Sequence, residues 1–591
     1  MKKLLTGNEA IARGAWEAGV HVASAYPGTP STEILENLAL YKDVYSEWAP
    51  NEKVGMEVAV GASIGGARAL TAMKHVGLNV AADPMFTYSY LGVNGGMVIV
   101  TADDPGLHSS QNEQDNRHFA RHAKLPMLEP SDSQEAKDFM IEAYEISEKF
   151  DVPVLFRITT RICHSKAPVE LGERTEYEVK DYQRNINKFV ATPARCKVHH
   201  YELEEKLKKL EIFANTTKLN VEEINDDTEI GIITSGIAYQ YAKEVFGDKV
   251  SYLKLGFTFP IPKEKITNFT KKFKTIYVIE ELEPFLENEI KAMGINVIGK
   301  EKIPNIDELN PDIIAKALLN EELPKVEIKE NKAVGRPPIL CAGCPHRGIF
   351  FELSKKKDVV ITGDIGCYTL GSAEPLNAMD SVICMGAGIS AAHGFAKAFE
   401  KKGRKSKIFG IVGDSTFFHS GITSLLDIVY NKSNVTTIIL DNRITGMTGH
   451  QENPGTGFTL MGKEAPQADI EAIVRALGVK HVKTINPNNL KESKELIDEY
   501  TKLEEPSVII TRWPCALKKF SEQDINEFNL KVEKYAVDSS KCKKCKMCLK
   551  TGCPAISFDP EIGSIIDQDM CIGCSVCAQV CPFKAIEKVG G

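Results

Sequence analysis

No stretch of the chain approaches the roughly 18 uninterrupted apolar residues that a membrane-spanning helix requires, so no membrane association is expected. Positive charge is also short: 72 Lys and Arg stand against 80 Asp and Glu, a formal net charge of −8. Nucleic-acid binding usually shows as a basic face, so nucleic acid is not an expected partner. A secretion signal is not expected either. "MKKLLTGNEAIARGAWEAG" opens like one but meets Asn8, Glu9 and Arg13 after too short an apolar core. There is no low-complexity segment, and no internal repeat beyond two cysteine runs and a shared α/β style. The expectation is a cytoplasmic protein. In that reducing compartment the 15 cysteines read as metal ligands or thiols rather than disulfides.

What is present is ample. The 591 residues, at roughly 150 per domain, make about four domains. With 43% hydrophobic and 26% charged residues, the chain has the composition of ordinary globular cores.

Eight cysteines crowd the C-terminus. "CKKCKMCLKTGCP" holds Cys542, Cys545, Cys548 and Cys553, and "CIGCSVCAQVCP" holds Cys571, Cys574, Cys577 and Cys581. This is the bacterial ferredoxin run written twice, in which the fourth cysteine, before proline, crosses to the other cluster. Cys542, Cys545, Cys548 and Cys581 are thus expected to hold one 4Fe–4S cluster, and Cys571, Cys574, Cys577 and Cys553 the other. The first run has four residues rather than three before its last cysteine, which a longer turn absorbs. A pair of zinc knuckles is the competing reading, and the two prolines weigh against it. The tail reads as an electron wire.

Further upstream, "KIFGIVGD" reads as a buried strand ending in Gly413-Asp414, followed by a helix from about "HSGITSLLDIVYNK". A second buried strand, "VTTIILDN", ends at Asn442, 28 residues after Asp414. The C-terminal edge of an open α/β sheet is where ligands bind. A carboxylate and an amide oxygen there suit Mg2+ completed by phosphate oxygens. The pattern resembles the diphosphate motif of thiamine diphosphate enzymes. That resemblance implies Asp414, Asn442 and the Ile444 carbonyl as metal ligands, with Gly413 and Ser415 beside the diphosphate. Ser415 departs from the glycine that many members carry.

The same resemblance implies a glutamate for N1' of the aminopyrimidine, about nine residues before a Gly-Ala helix segment. In "NEKVGMEVAVGASIGG" Glu52 precedes Gly61 by nine, and Glu57 is the runner-up. An acid at a solvated helix N-terminus is the plain alternative for Glu52. "SAYPGTPSTEI" is similar to the Tyr-Pro-x-Thr-Pro-Ser loop of 2-oxoacid:ferredoxin oxidoreductases. There the threonine, here Thr29, contacts the substrate's carboxylate or keto oxygen, while Ser31 or Thr32 reads as a helix N-cap. In "ADDPGLHSSQNEQDNRHFARHAKLP", Arg117 or His108 could receive a substrate carboxylate, and a solvated surface explains them equally well.

Taken together, "YPGTPSTE", "RPPILCAGCPHRG", "DIGCYTLG" and "GDSTFFHSGI", ahead of a two-cluster tail, resemble the large α subunits of the indolepyruvate:ferredoxin oxidoreductase family. They lie within the thiamine-dependent 2-oxoacid:ferredoxin oxidoreductases, and the likeness runs the length of the chain. The expected fold is multidomain α/β. It comprises a pyrimidine-binding domain (1–185), a helical linker (186–225) and a transketolase-C-like domain (226–320). A charged link leads to a diphosphate-binding domain (335–530) and a C-terminal α+β two-cluster ferredoxin domain (535–591). The two thiamine-binding domains should be doubly wound. The implied activity is thiamine diphosphate-dependent oxidative decarboxylation of aryl pyruvates to arylacetyl-CoA, with Mg2+, CoA and an external ferredoxin. A small β subunit carrying the γ-type domain is implied as partner. Another 2-oxoacid specificity, a non-redox thiamine decarboxylase, and an electron-transfer subunit with a vestigial thiamine site are the alternatives.

One motif stays outside this inventory. "LCAGCPHRG" places Cys341 and Cys344 far from the tail, with Cys367 in "DIGCYTLG" and Cys515 in "RWPCAL" further along. In pyruvate:ferredoxin oxidoreductase a similar order holds a cluster beside the thiamine. The resemblance makes Cys341, Cys344, Cys367 and Cys515 candidate ligands of a third 4Fe–4S cluster. Zinc, unmetallated core thiols, or a tail folded back against the cofactor are the competing readings. Cys163, Cys196 and Cys384 are expected as core residues.

Overall fold

The computed structural model describes residues 1–325, 334–530 and 533–589. They form two compact units, Met1–Lys329 and Glu330–Gly591. Most of the charged stretch read as a link, residues 326–333, lies outside the described residues.

The first unit is built on a seven-stranded sheet. Its order is Phe257–Phe259, Met127–Leu128, Val154–Thr159, Met97–Asp103, Ala69–Lys74, Val22–Ala25, Tyr45–Trp48. The six strands from Met127–Leu128 onward pair in parallel, and Phe257–Phe259 closes the edge antiparallel. "MVIVTAD" and "VPVLFRI" are continuous apolar runs because sheets covered on both faces bury both sides of a strand. Every residue of Met97–Asp103 and Val154–Thr159 is buried. Gly7–Glu17, opened by a Thr6–Glu9 capping box, packs against Ser133–Phe150.

A four-stranded sheet follows, ordered Thr275–Ile279, Ile230–Ser235, Ser251–Leu255, Asn220–Glu223. The stretch read as a helical linker is partly strand. The stretch 186–225 contains the expected helix, Pro193–Thr216, and it buries His199, Leu203, Leu210 and Ala214. It also contains Asn220–Glu223, the edge strand of this second sheet.

The second unit carries a five-stranded parallel sheet, Val359–Thr362, Lys407–Gly413, Val435–Asp441, Ser507–Arg512, His481–Ile485, in that order. Apolar clusters cover both faces. The helix expected after "KIFGIVGD" starts at once at Asp414 and passes through a π-helical turn, Phe417–Gly421, before Ile422–Tyr430. Such turns are rare in helices and frequent at functional sites.

The C-terminal domain has two short antiparallel pairs, Tyr535–Val537 with Ile586–Lys588 and Ile556–Asp559 with Gly563–Ile566. It docks on the sheet domain of its own unit. Val576 is buried in the same apolar cluster as Cys344, Leu490 and Ile509. The Gln579 amide donates to the Asn488 carbonyl (2.7 Å), and its oxygen accepts from the Leu490 N–H (3.0 Å).

Candidate functional site

Parallel pairing sets the geometry of the second unit's site. Lys407–Gly413 and Val435–Asp441 are neighbours running the same way, so Asp414 and Asn442 emerge side by side at their C-terminal ends. Asp414 is buried, and its carboxylate accepts from Asn453 Nδ2 at 3.5 Å. Burial, and then the Asp441 carboxylate, push the Asp414 carboxyl up to about 8. The cations near Asp441 are spoken for: Arg512 pairs with it at 2.7 Å. A buried acid this costly to ionise alone fits a hard divalent cation. Asn442 is buried too, and its Oδ1 accepts from the Ile444 N–H at 3.2 Å. Ser415 accepts a hydrogen bond from Thr445 Oγ1 at 2.9 Å. Among the described residues the donors and acceptors therefore suit Mg2+ and a diphosphate.

The same sheet edge carries two of the scattered cysteines. Cys367 follows Val359–Thr362 on one flank, and Cys515 follows Ser507–Arg512 on the other. The Cys515 N–H donates to the Asn442 carbonyl at 3.0 Å. Cys367 Sγ lies 3.6 Å from where a side chain on Gly446 would begin. The thiols feel one another. Burial pushes Cys344 up to about 12 and Cys367 to about 11, with Cys515 and Cys341 adding to both. Burial also raises Cys515, with Cys341 and Asp414 adding. Among the described residues no group of three or more His, Cys, Asp or Glu converges closely enough to hold one metal ion.

In the tail, a small cavity is lined by Cys542, Cys545, Cys548 and Cys581. Burial raises Cys574 and Cys577, and Cys553 and Cys571 add to both. Four of the eight tail cysteines, Cys542, Cys545, Cys548 and Cys581, thus face one cavity.

In the first unit, Glu52 opens the helix Glu52–Ile64, whose N-cap Asn51 accepts from the Val54 N–H. Its side chain is buried, with Oε1 2.7 Å from where a Cβ on Gly77 would lie. Glu57 stands apart, half exposed and paired with Lys53. Thr29 is half-buried and precedes a cis Thr29–Pro30 bond. Ser31 sits at the N-cap of Thr32–Leu38, but its hydroxyl donates to the Gly28 carbonyl (2.9 Å) instead of capping.

Arg117 is corrected. It is 1% exposed, and its donors reach Asp115, Glu280 and the carbonyls of Glu281 and Glu283. Nothing is left for a substrate carboxylate, so Arg117 is a staple between the two sheets of its unit. Burial pushes the Asp115 carboxyl up, and Arg117 more than offsets this, holding it at about 2. His108 is half exposed and faces Glu308 at 3.3 Å, which Arg161 also binds. That contact makes it a surface hydrogen-bond partner of Glu308. Of the three cysteines expected in the core, only Cys163 is buried; Cys196 is half-buried and Cys384 exposed.

Three residues escaped the sequence reading. Asn453 bonds Asp414 from a Gly- and Pro-rich loop with no pattern to flag it. Asp364 follows the edge strand Val359–Thr362 in "TGDIG", a second strand-Gly-Asp signal that was there to read. It accepts from the Gly388 and Ile365 N–H groups, and burial raises it to about 6. Lys74 lies with its stem 3.3 Å from a Cβ on Gly28 and donates to the Ser109 carbonyl (3.0 Å).

Residues 364–511 match the thiamine pyrophosphate enzyme C-terminal TPP-binding domain. Residues 13–219 match the thiamine diphosphate-binding domain of pyruvate flavodoxin/ferredoxin oxidoreductases, and 564–587 a 4Fe–4S binding domain. The chain is similar to proteins named indolepyruvate oxidoreductase subunit IorA. It is 43% identical to that of Archaeoglobus fulgidus over 99% of this chain and 97% of the relative. Against that of Methanothermobacter thermautotrophicus it is 41% identical over 100% and 98%. A solved 2-oxoglutarate:ferredoxin oxidoreductase from Magnetococcus marinus aligns at 17% identity and a TM-score of 0.45, covering 54% of this chain and 65% of its own. Among the described residues no helix is long and apolar enough to cross a membrane.

Proposed function

The chain belongs to the indolepyruvate oxidoreductase IorA family, and from that premise we propose that it oxidatively decarboxylates aryl pyruvates such as indolepyruvate to arylacetyl-CoA, passing the electrons to ferredoxin. The observation that carries this is the shared sheet edge, where Asp414 and Asn442 stand between the strands that deliver Cys367 and Cys515.

The proposed roles follow from the side chains. Asp414, the Asn442 amide oxygen and the Ile444 carbonyl hold Mg2+, and Gly413 and Ser415 lie against the diphosphate. Glu52 holds the proton at N1' of the aminopyrimidine, and Gly77 leaves its carboxylate the room to lie where it does. Thr29 contacts the carboxylate or keto oxygen of the substrate. Thiamine diphosphate, when bound, supplies the carbon nucleophile and electron sink that decarboxylation of a 2-oxoacid needs. Cys341, Cys344, Cys367 and Cys515 hold a cluster near Asp414, and the two tail sets hold the clusters that lead outward. The domain bounds proposed are those read from the sequence, with the second sheet taken to begin at Asn220. A smaller subunit bearing the γ-type domain completes the enzyme, which works in the cytoplasm.

The test is an anaerobic assay of the chain reconstituted with that subunit, using CoA and a viologen acceptor. Indolepyruvate, phenylpyruvate and hydroxyphenylpyruvate should each give kcat/KM at least about tenfold above pyruvate and 2-oxoglutarate, the scale on which an apolar pocket discriminates. A preference for pyruvate or 2-oxoglutarate would overturn the substrate class.

A further inference from the structure

Three arginines, Arg68, Arg117 and Arg347, rank among the largest fully buried side chains. Arg68 pairs with Glu145 and Glu148, and Arg117 with Asp115 and Glu280. Arg347 differs. Its Nη1 donates to the Thr551 carbonyl (2.7 Å), and its Nη2 to the carbonyls of Leu340 and Cys341 (2.8 Å each). No carboxylate is among these partners, and its Nε is buried without a hydrogen-bond partner. A buried cation that lacks a counter-charge is costly, so something anionic is called for nearby.

The neighbours of Arg347 are cysteines from two sets. One side is the Cys341–Cys344 loop, where Gly343, at φ +66°, meets Ile572 of the tail so closely that no side chain fits. On the other side is the turn leading into Cys553. A Cβ on Gly552, the residue before Cys553, would lie 3.3 Å from Arg347 Nη1. The guanidinium thus lies at the joint between the sheet domain and the tail, bonded to the backbone of Cys341 on one side and to the turn just before Cys553 on the other.

We infer that Arg347 is the internal counter-cation of the electron path, a positioning residue whose fixed charge favours the reduced state of the clusters on either side, at Cys341/Cys344/Cys367/Cys515 and at Cys553/Cys571/Cys574/Cys577. The inference rests on the cluster assignments proposed above. Reduction adds one electron and no proton, so each cluster becomes one charge more negative. The electron comes from oxidative decarboxylation in turnover, or from dithionite in a titration. A cation held beside the cluster stabilises that added charge, most strongly where water is excluded.

The full-length, cluster-loaded chain tests this as wild type, Arg347→Lys and Arg347→Met. Iron content and EPR-monitored dithionite titrations are the readouts. Arg347→Met should keep its iron while its cluster midpoint potentials move to lower values, and Arg347→Lys should stay near wild type. Iron retained with unmoved potentials in Arg347→Met would overturn the inference. If Arg347→Met loses iron, Arg347→Lys decides. Iron and potentials kept there support the role of charge, whereas loss in both variants shows only a backbone clamp and overturns it. Failure of the underlying assignment reads differently: wild type with only the tail clusters removes the Cys341 site. The shift at Cys553/Cys571/Cys574/Cys577 still judges Arg347.

Discussion

Asp414→Ala purifies with the iron of its cysteine tail intact and without bound thiamine diphosphate. Asp414 supplies the only carboxylate in the proposed Mg2+ set, the other two donors being the neutral Asn442 amide and Ile444 carbonyl. Its charge offsets the cation that in turn holds the diphosphate. Removing it leaves Asn442 and Ile444 to bind a dication in a buried pocket already crowded by Asp441, whose charge Arg512 neutralises. Affinity for the cofactor should fall by more than about 100-fold, the upper end of what losing even an outer-shell partner costs a metal site. The tail has its own core of Cys548, Ile556, Ile566 and Ile586, so its clusters should be untouched. Cofactor titration by calorimetry, beside iron analysis of the same sample, checks both halves. Wild-type cofactor affinity in this variant would refute the site.

The second large effect is on turnover. Glu52→Gln should bind thiamine diphosphate at near wild-type affinity and lose about 10²–10⁴-fold in kcat, the range general acid–base groups contribute. The amide fills the space over Gly77 but does not hold a proton at N1' as a carboxylate does. Glu57→Gln is the control. Its side chain is half exposed and paired with Lys53, so kcat should stay within about twofold, as for an exposed substitution. If Glu57→Gln is the inactive variant and Glu52→Gln the active one, the glutamate has been misassigned.

Why Glu52 and not Glu57 is a matter of helix geometry. Five residues turn an α-helix through about 140° beyond a full turn, so the two acids face different sides and only one is buried. The sequence shows both, and their spacing to Gly61 favours Glu52. Other parts were legible for equally local reasons. Strand-Gly-Asp and strand-Asn show as apolar runs with a polar stop, and the tail cysteines carry their pairing in their spacing. Cys341, Cys344, Cys367 and Cys515 do not. Cys367 and Cys515 come to one sheet edge because the edge strand Val359–Thr362 and the strand Ser507–Arg512 flank the central pair, a strand order that no spacing contains. Arg117 was misread for the same reason. In a polar stretch it looks solvated, yet its partner Glu280 lies 163 residues away. Long-range pairing of charges is the part of this fold least visible in the chain.

The claim most exposed to test is that one sheet edge carries the diphosphate anchor and a cluster site together. Iron and acid-labile sulfide in the anaerobically purified chain, beside Cys341→Ala, measure it directly. Three four-iron clusters predict about twelve irons per chain, falling to about eight in Cys341→Ala while the tail's EPR signals persist. About eight irons in the wild type, unchanged in Cys341→Ala, would contradict it.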